Sequence, residues 1–142
     1  MGKLSSLVKG SVTRPRILLA DDSPAVLDGV RRLLEPEFEV VGSVDDGYSL
    51  LSAAKELRPD VLIVDIMMPG LSGLEAVRRL KKRRLGGRAI LLTVLQDPAL
   101  AEEARAAGAM GYVVKTSADR DLVDAIHEVL AGHFYLSPVL KR

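Results

Sequence analysis

Short apolar segments alternate five times with longer segments of helical periodicity along most of the chain. Four of the five apolar segments are almost continuously hydrophobic, as expected of parallel strands that are covered on both faces of a sheet. The second segment alternates more between apolar and polar residues, which is typical of a strand nearer the edge. The predicted strands are residues 17–20, 38–44, 61–64, 89–93 and 110–114.

Helix-start signals follow these segments. Ser23 with Pro24, and Asp97 with Pro98, each combine a capping residue with proline at the first helical position. Gly108 follows the fourth helical segment and is a typical C-terminal cap. Five strand–helix units in alternation predict an α/β fold: a doubly wound, five-stranded parallel sheet with five helices on its two faces, connected by right-handed crossovers.

Length and composition narrow the function. The 142 residues fit one domain, and 20 basic against 19 acidic residues leave a net charge of +1, which gives no electrostatic reason to expect a dedicated nucleic-acid or membrane-surface protein. The chain has no cysteine, which excludes disulfides, thiolate metal sites and cysteine nucleophiles. Its apolar runs are far shorter than the ~20 residues of a membrane span. We therefore expect a cytoplasmic protein that does not bind membranes.

Polar side chains follow four of the predicted strands, at the edge of the sheet where ligands of such folds bind. Asp21 and Asp22 come after the first strand, Asp65 after the third, Thr93 ends the fourth and Lys115 follows the fifth. Taken singly, each has an ordinary structural interpretation, since aspartates at strand ends often cap helices. Together they are more specific, because clustered carboxylates repel one another unless they share a cation, and oxygen ligands suit Mg²⁺, Mn²⁺ or Ca²⁺.

These groups are also the components of phosphoryl transfer. A metal ion and an ammonium neutralise phosphoryl oxygens, and a hydroxyl donates a hydrogen bond to one of them. A carboxylate can itself be the nucleophile and become an aspartyl phosphate.

The sequences LLADDSP, VLIVDIMMPGLSG and GAMGYVVKTS, with a strand that ends in threonine between the last two, resemble the motifs of bacterial response-regulator receiver domains of the CheY-like fold. The resemblance covers about residues 16–132, and its motifs are specific in combination. It implies that Asp65 is the phosphoacceptor and that Thr93 and Lys115 contact the phosphoryl group. It implies Mg²⁺, or Mn²⁺ in its place, and identifies Tyr112 as the aromatic switch residue. The implied metal ligands are Asp21, Asp22, Asp65 and the backbone carbonyl of Met67, with Asp21 acting partly through water.

The resemblance also implies partners. The phosphoryl donor would be a sensor histidine kinase or a phosphotransfer protein, and phosphorylation would favour a homodimer. The C-terminal sequence AGHFYLSPVL resembles the end of receivers that carry a LuxR-type helix-turn-helix domain, so any contact with DNA would run through an effector domain that this sequence lacks. We expect residues 1–15 to be a flexible leader, residues 16–132 the receiver domain and residues 133–142 the start of a linker.

The function predicted from these observations is a phosphorylation switch with a transcriptional output, which catalyses its own phosphorylation and dephosphorylates slowly, rather than an enzyme. The alternative is a stand-alone receiver that acts through protein–protein contacts. A phosphatase of the haloacid-dehalogenase type is disfavoured, because that family needs a second aspartate where this chain has Met67. A binding module that has lost phosphorylation is disfavoured by the intact acidic, hydroxyl and lysine set. The one departure from many receivers is Thr116, where they have proline after the lysine.

Overall fold

A computed structural model describes residues 13–85 and 87–141, in which strands and helices alternate along the chain. Most of the predicted leader, residues 1–12, and the final residue of the predicted linker therefore lie outside the described residues. The strands are β1 (Arg16–Ala20), β2 (Glu39–Val44), β3 (Val61–Val64), β4 (Arg88–Thr93), β5 (Gly111–Val114) and β6 (Tyr135–Leu136). The α-helices are α1 (Pro24–Leu34), α2 (Gly47–Leu57), α3 (Gly73–Arg83), α4 (Pro98–Ala107) and α5 (Ala118–Leu130).

All strands are parallel and follow the order β2-β1-β3-β4-β5-β6 in one sheet. The predicted doubly wound parallel fold is confirmed, and β2 lies at an edge, as its alternating pattern indicated. The structure adds β6, a two-residue strand within the segment that the sequence predicted to begin a linker. A strand of two residues is too short to produce a periodic pattern, so only its pairing with β5 reveals it.

Each face of the sheet builds its own hydrophobic core, because successive side chains of a strand point to opposite faces. Leu18 and Leu62 pack on one face with apolar residues of α2, α3 and α4. Ile17 and Ile63 pack on the other face with apolar residues of α1 and α5. The central strands are thereby buried on both faces, and polar chemistry is left to the strand ends.

The helix caps lie where the sequence predicts them. Ser23 Oγ accepts a hydrogen bond from Val26 N at 3.3 Å, and Asp97 Oδ1 accepts one from Ala99 N at 3.0 Å. Gly108 ends α4 with a φ of 114°, a left-handed conformation that glycine adopts without steric cost. The longest of the described helices, α5, has 13 residues, and none of them is long and apolar enough to cross a bilayer.

Helix α3 begins in close contact with the end of β3. The N–H of Gly73 donates to the carbonyl of Ile66 at 2.8 Å, and a Cβ atom at Gly73 would overlap with the backbone carbonyl oxygen of Asp65. The absence of a side chain at Gly73 therefore sets how closely α3 approaches the residue that follows β3.

We expect Gly73→Ala to lower the free energy of unfolding by about 1–3 kcal/mol, because the overlap is with backbone rather than with a mobile side chain. The matched control is Gly29→Ala in α1, where an added Cβ meets nothing within 4 Å. There the alanine should instead raise the free energy of unfolding by about 0.5–1 kcal/mol, because it reduces the freedom of the unfolded chain. Urea unfolding of the two variants and the parent measures both effects, and a neutral Gly73→Ala would contradict the close approach.

Candidate functional site

The strand register assembles the polar side chains at one edge of the sheet. Ala20 of β1 pairs with Val64 of β3, so the residues that follow them, Asp21 and Asp65, lie side by side. The N–H of Asp65 continues this ladder and donates to Ala20 O at 2.8 Å. On the other side of the site, Thr93 of β4 pairs with Val114 of β5, and Lys115 follows directly.

Three carboxylates form a cluster at this edge. Asp21, Asp22 and Asp65 each place one carboxylate oxygen within 4.8 Å of the others. Asp21 and Asp65 are buried, whereas Asp22 is exposed. Backbone N–H groups hold the two buried side chains, since Ser23 N donates to Asp21 Oδ1 at 2.9 Å and Met67 N donates to Asp65 Oδ1 at 3.3 Å. The cluster is therefore oriented by the loops that follow β1 and β3.

Lys115 bridges the two buried carboxylates. Its Nζ lies 2.7 Å from Asp21 Oδ2 and 3.4 Å from Asp65 Oδ2. Burial raises the pKa of the Asp65 carboxyl above its ordinary value, and the charge of Asp21 raises it further, while Lys115 offsets part of this rise. Burial alone would lower the pKa of the Lys115 ammonium, but its contacts with Asp21 and then Asp65 outweigh burial and raise that pKa. The lysine is thus held in its charged form by the acids that it neutralises.

The residues fit a divalent cation. Among the described residues, the buried Asp21 Oδ2 accepts no hydrogen bond of good geometry, and its close contact with Lys115 is an ion pair alone. One ammonium faces three carboxylates, so the cluster keeps an excess of negative charge and of oxygen lone pairs. Hard cations such as Mg²⁺ and Mn²⁺ bind such oxygen sets. Met67, whose carbonyl is the predicted fourth protein ligand, lies beside the cluster through its N–H contact with Asp65.

The side chains of Thr93 and Tyr112 both form hydrogen bonds with Leu95, which lies in the loop between β4 and α4, residues 94–97. Both side chains are fully buried. Thr93 Oγ1 accepts a hydrogen bond from Leu95 N at 3.3 Å, and Tyr112 Oη donates one to Leu95 O at 2.8 Å. Burial, with a smaller contribution from the charge of Asp97, raises the pKa of Tyr112 to about 12, so its hydroxyl stays protonated and can donate. The peptide groups of Leu95 therefore connect the predicted phosphoryl contact with the predicted switch residue.

Exposed apolar side chains surround the opening of the site. Met67 is 61% exposed, Val94 59% and Leu95 37%. These residues come from the loops after β3 and β4, next to Asp65 and Thr93. The exposed surface next to the site therefore includes three apolar side chains, besides the exposed carboxylate of Asp22.

A network of two serine hydroxyls and one carboxylate, next to the residue that precedes Lys115, was not predicted from the sequence. Ser117 Oγ donates to Asp121 Oδ2 at 2.6 Å, and Ser137 Oγ lies 3.4 Å from the same oxygen. Ser137 Oγ also accepts a hydrogen bond from Val114 N at 2.9 Å. The signal in the sequence was the pair Ser137–Pro138, since a proline ends a strand and restricts the residue before it. The sequence alone does not show that this pair returns to β5.

Comparison with known proteins agrees with this geometry. The family model described as response regulator receiver domain matches residues 17–127. The response regulator GacA of Pseudomonas aeruginosa is 37% identical over 129 residues, which are 89% of this chain and 60% of that protein, so the chain spans less than two thirds of the relative. The crystal structure of a LuxR-family two-component response regulator from Aurantimonas sp. SI85-9A1 matches with a TM-score of 0.86 and 37% identity, over 91% of this chain and 94% of that one. The isolated REC domain of RcsB from Salmonella enterica serovar Typhimurium, determined with the phosphomimetic BeF₃⁻, matches with a TM-score of 0.83 and 29% identity, over 92% of this chain and 98% of that one.

The raised pKa of Asp65 leads to a prediction about stability without metal. A carboxyl whose pKa is higher in the folded than in the unfolded state weakens folding as the pH rises from its ordinary value, 3.8, through the folded value. We therefore expect Asp65→Asn to raise the melting temperature at pH 7 in the presence of EDTA, and this gain to shrink as the pH falls towards 4.

Thermal melts of both proteins between pH 4 and pH 7 measure the difference. The matched control is Asp45→Asn, which changes an exposed aspartate at the end of β2 that lies outside the cluster and should leave the pH dependence unaltered. A gain that stays constant over this pH range would show that ionised Asp65 is not under electrostatic strain.

Proposed function

The chain belongs to the response regulator receiver domain family, and we propose that it is a switch in which Asp65 accepts a phosphoryl group. The observation that carries this proposal is the buried Asp65 carboxylate at the end of β3, which has Lys115 on one side and two further carboxylates within 4.8 Å. A buried, oriented carboxylate beside fixed positive charge is suited to attack phosphorus. The donor is a phosphohistidine of a sensor kinase or of a phosphotransfer protein.

Asp65 is the nucleophile of the phosphoryl transfer. A carboxylate oxygen of Asp65 forms the new bond to phosphorus, the bond between phosphorus and the donor nitrogen breaks, and the departing imidazole keeps the electron pair and takes a proton. Met67 N orients the Asp65 carboxylate through its contact with Oδ1. Because Asp65 is held in place before the donor arrives, little orientational freedom remains to be lost in the transition state.

Positive charge and one hydroxyl stabilise the transferred group. The ammonium of Lys115 lies 3.4 Å from Asp65 Oδ2, near enough to form an ion pair with a phosphoryl group attached to that side chain. Thr93 Oγ1 accepts a hydrogen bond from Leu95 N. This bond does not use the hydrogen of the Thr93 hydroxyl, which can therefore be donated to a phosphoryl oxygen. Asp21, Asp22, Asp65 and the Met67 carbonyl would hold Mg²⁺ or Mn²⁺, which would supply positive charge to neutralise the remaining phosphoryl oxygens.

The response to phosphorylation begins at Leu95. If Thr93 turns its hydroxyl towards the phosphoryl group, the N–H of Leu95 loses an acceptor, and the loop between β4 and α4 is drawn to a new position. Tyr112, which donates to the carbonyl of the same residue, is the side chain that senses this movement. The two positions of the loop form a two-state element whose balance phosphorylation shifts.

We assign the output to transcription, through an effector domain of the LuxR type and a homodimer that forms on phosphorylation. The support comes from the relatives, which include GacA and a LuxR-family regulator, and from the length of GacA, of which this chain spans 60%. The domain itself is a signalling switch that is consumed as the acceptor substrate of its own phosphorylation, with the phosphohistidine as the donor substrate.

The phosphoacceptor is tested with Asp65→Asn, because asparagine keeps the size of the side chain and removes the nucleophile. After incubation with acetyl phosphate and Mg²⁺, intact-mass spectrometry should show a phosphoryl adduct on the parent and none on the variant. Asp45→Asn, at the same edge of the sheet but outside the acidic cluster, should form the adduct as the parent does. An adduct on Asp65→Asn would assign the phosphoryl group to another residue.

The lifetime of the phosphoryl group depends on the exposed apolar residues at the opening of the site. Hydrolysis needs a water molecule in line with the bond to phosphorus, and Met67, Val94 and Leu95 offer it no hydrogen bond. We expect slow autodephosphorylation, and a decay roughly tenfold faster in the double variant Met67→Asn, Leu95→Glu, whose polar side chains can orient water.

Loss of the adduct from phosphorylated protein in Mg²⁺, followed by intact mass over time, measures the decay. Ala106→Asn serves as the control, because it introduces the same polar amide at an exposed apolar residue near the C-terminal end of α4, away from the site. Equal decay in the parent and the double variant would mean that other groups control the access of water.

A further inference from the structure

The C-terminal strand is joined to the end of β5 by a serine side chain. Tyr135 N donates to Met110 O and Ser137 N donates to Tyr112 O, both at 2.9 Å, which is the regular ladder between β5 and β6. At the next step Ser137 Oγ, rather than a backbone carbonyl, accepts from Val114 N at 2.9 Å. The following residue is Pro138, which has no N–H and begins a turn of 3₁₀ helix away from the sheet. The fully buried hydroxyl of Ser137 therefore completes the ladder that the backbone leaves unfinished.

Serine hydroxyls lie at both backbone polar groups of Val114. Its N–H donates to Ser137 Oγ, and its carbonyl lies 3.3 Å from Ser117 Oγ. The carboxylate of Asp121 in α5 holds both hydroxyls, at 2.6 Å from Ser117 and 3.4 Å from Ser137. The N–H of Val114 is thus held by a network that draws on α5 and the C-terminal segment.

Val114 is the residue that directly precedes Lys115. The lysine side chain has a flexible four-carbon stem, and its reach towards Asp21 and Asp65 starts from the backbone position at the end of β5. Without the hydroxyl of Ser137, the buried N–H of Val114 would have to find a new acceptor, and the end of β5 would shift with it.

We propose that Ser137 is a positioning residue which, through the N–H of Val114, fixes the end of β5 from which Lys115 reaches the phosphoryl group on Asp65. The inference rests on the proposed function, because it concerns the part that Lys115 plays there. It assigns a role in the phosphoacceptor site to Ser137, which lies in the segment 133–142 that the sequence predicts to be the start of a linker.

The network could instead serve only to attach β6. A purely structural role would lower the stability of Ser137→Ala and leave the binding of a phosphoryl mimic by the folded protein unchanged. A positioning role makes a different prediction, because the mimic contacts Lys115, whereas the divalent cation is held by carboxylates from β1 and β3. The affinities for the mimic and for the cation should then respond differently to the same substitution.

The experiment measures two affinities of the 142-residue chain. Titration with Mg²⁺ alone should give Ser137→Ala an affinity at least equal to that of the parent, because Lys115 is ion-paired with Asp21 and Asp65 and its displacement would leave these two carboxylates with more negative charge. Titration with beryllofluoride in saturating Mg²⁺, followed by ¹⁹F NMR, should give an affinity about tenfold lower for Ser137→Ala, which corresponds to the loss of about one hydrogen bond at the site. Ser137→Thr keeps the hydroxyl and should bind beryllofluoride as the parent does.

Ser49→Ala is the matched control. Ser49 Oγ also donates to a carboxylate, Asp46 Oδ2 at 2.7 Å, but neither residue contacts Lys115 or Val114. This variant should lose a comparable hydroxyl–carboxylate pair and keep both affinities. Equal beryllofluoride affinity in folded Ser137→Ala and the parent would overturn the positioning role while leaving the proposed function in place. A parent that binds Mg²⁺ but neither binds beryllofluoride nor forms the acetyl-phosphate adduct would overturn the proposed function itself.

Amide exchange keeps the inference testable if Ser137→Ala does not fold. Coupling between two sites is reciprocal, so engagement of Lys115 by beryllofluoride should strengthen the bond between Val114 N and Ser137 Oγ. Hydrogen exchange of the Val114 amide in the parent should then slow, when beryllofluoride binds, by a larger factor than exchange of the buried Leu62 amide in β3, which reports the general gain in stability. An equal slowing of the two amides would overturn the inference.

Discussion

The contact of one lysine with two buried carboxylates is the interaction on which the site depends. Asp21 and Asp65 are brought side by side by the pairing of β1 with β3, and two buried negative charges at that distance require a neighbouring cation. Lys115 supplies it, with Nζ 2.7 Å from one carboxylate and 3.4 Å from the other. One lysine does not balance three carboxylates once Asp22 is included. The excess of negative charge that keeps Lys115 protonated also makes this edge of the sheet suited to a divalent cation, and the cation with Lys115 makes it suited to a phosphoryl group.

Hydrogen bonds of Thr93 and Tyr112 connect the interior of the sheet with the exposed loop between β4 and α4. Thr93 and Tyr112 are both buried, and both are hydrogen-bonded to the peptide groups of Leu95 in an otherwise exposed loop. The buried side chains cannot move far, because the interior of the sheet is closely packed. Under the proposed function, a change in what Thr93 binds would therefore be transmitted to the loop between β4 and α4 rather than absorbed in the core.

The C-terminal segment, residues 133–140, packs against the domain as well as continuing the chain after α5. Ser137 completes the β5 ladder next to Lys115, and the Arg105 guanidinium lies 4.5 Å from the centre of the Phe134 ring, so the segment contacts both β5 and α4. These contacts place Phe134 beside α4 and Ser137 beside the end of β5, the strand that contains Tyr112 and directly precedes Lys115. The course of the chain after α5 is in this way tied to the phosphoacceptor edge of the sheet.

The sequence by itself determined the α/β class, five of the six strands in the part of the chain that the structure describes, the helix caps and the set of polar residues at the strand ends, because apolar periodicity and capping are local properties of the chain. It also named Asp21, Asp22, Asp65, Thr93 and Lys115 as one group, since parallel strands end at a common edge. Only the tertiary structure decided that Lys115 bridges Asp21 and Asp65, that Leu95 joins Thr93 to Tyr112, and that Ser137 returns to Val114. Apart from the local bond between Leu95 and Thr93, these contacts link residues 17 or more positions apart in the chain, and their partners are set by strand register and by side-chain packing, which no local pattern encodes.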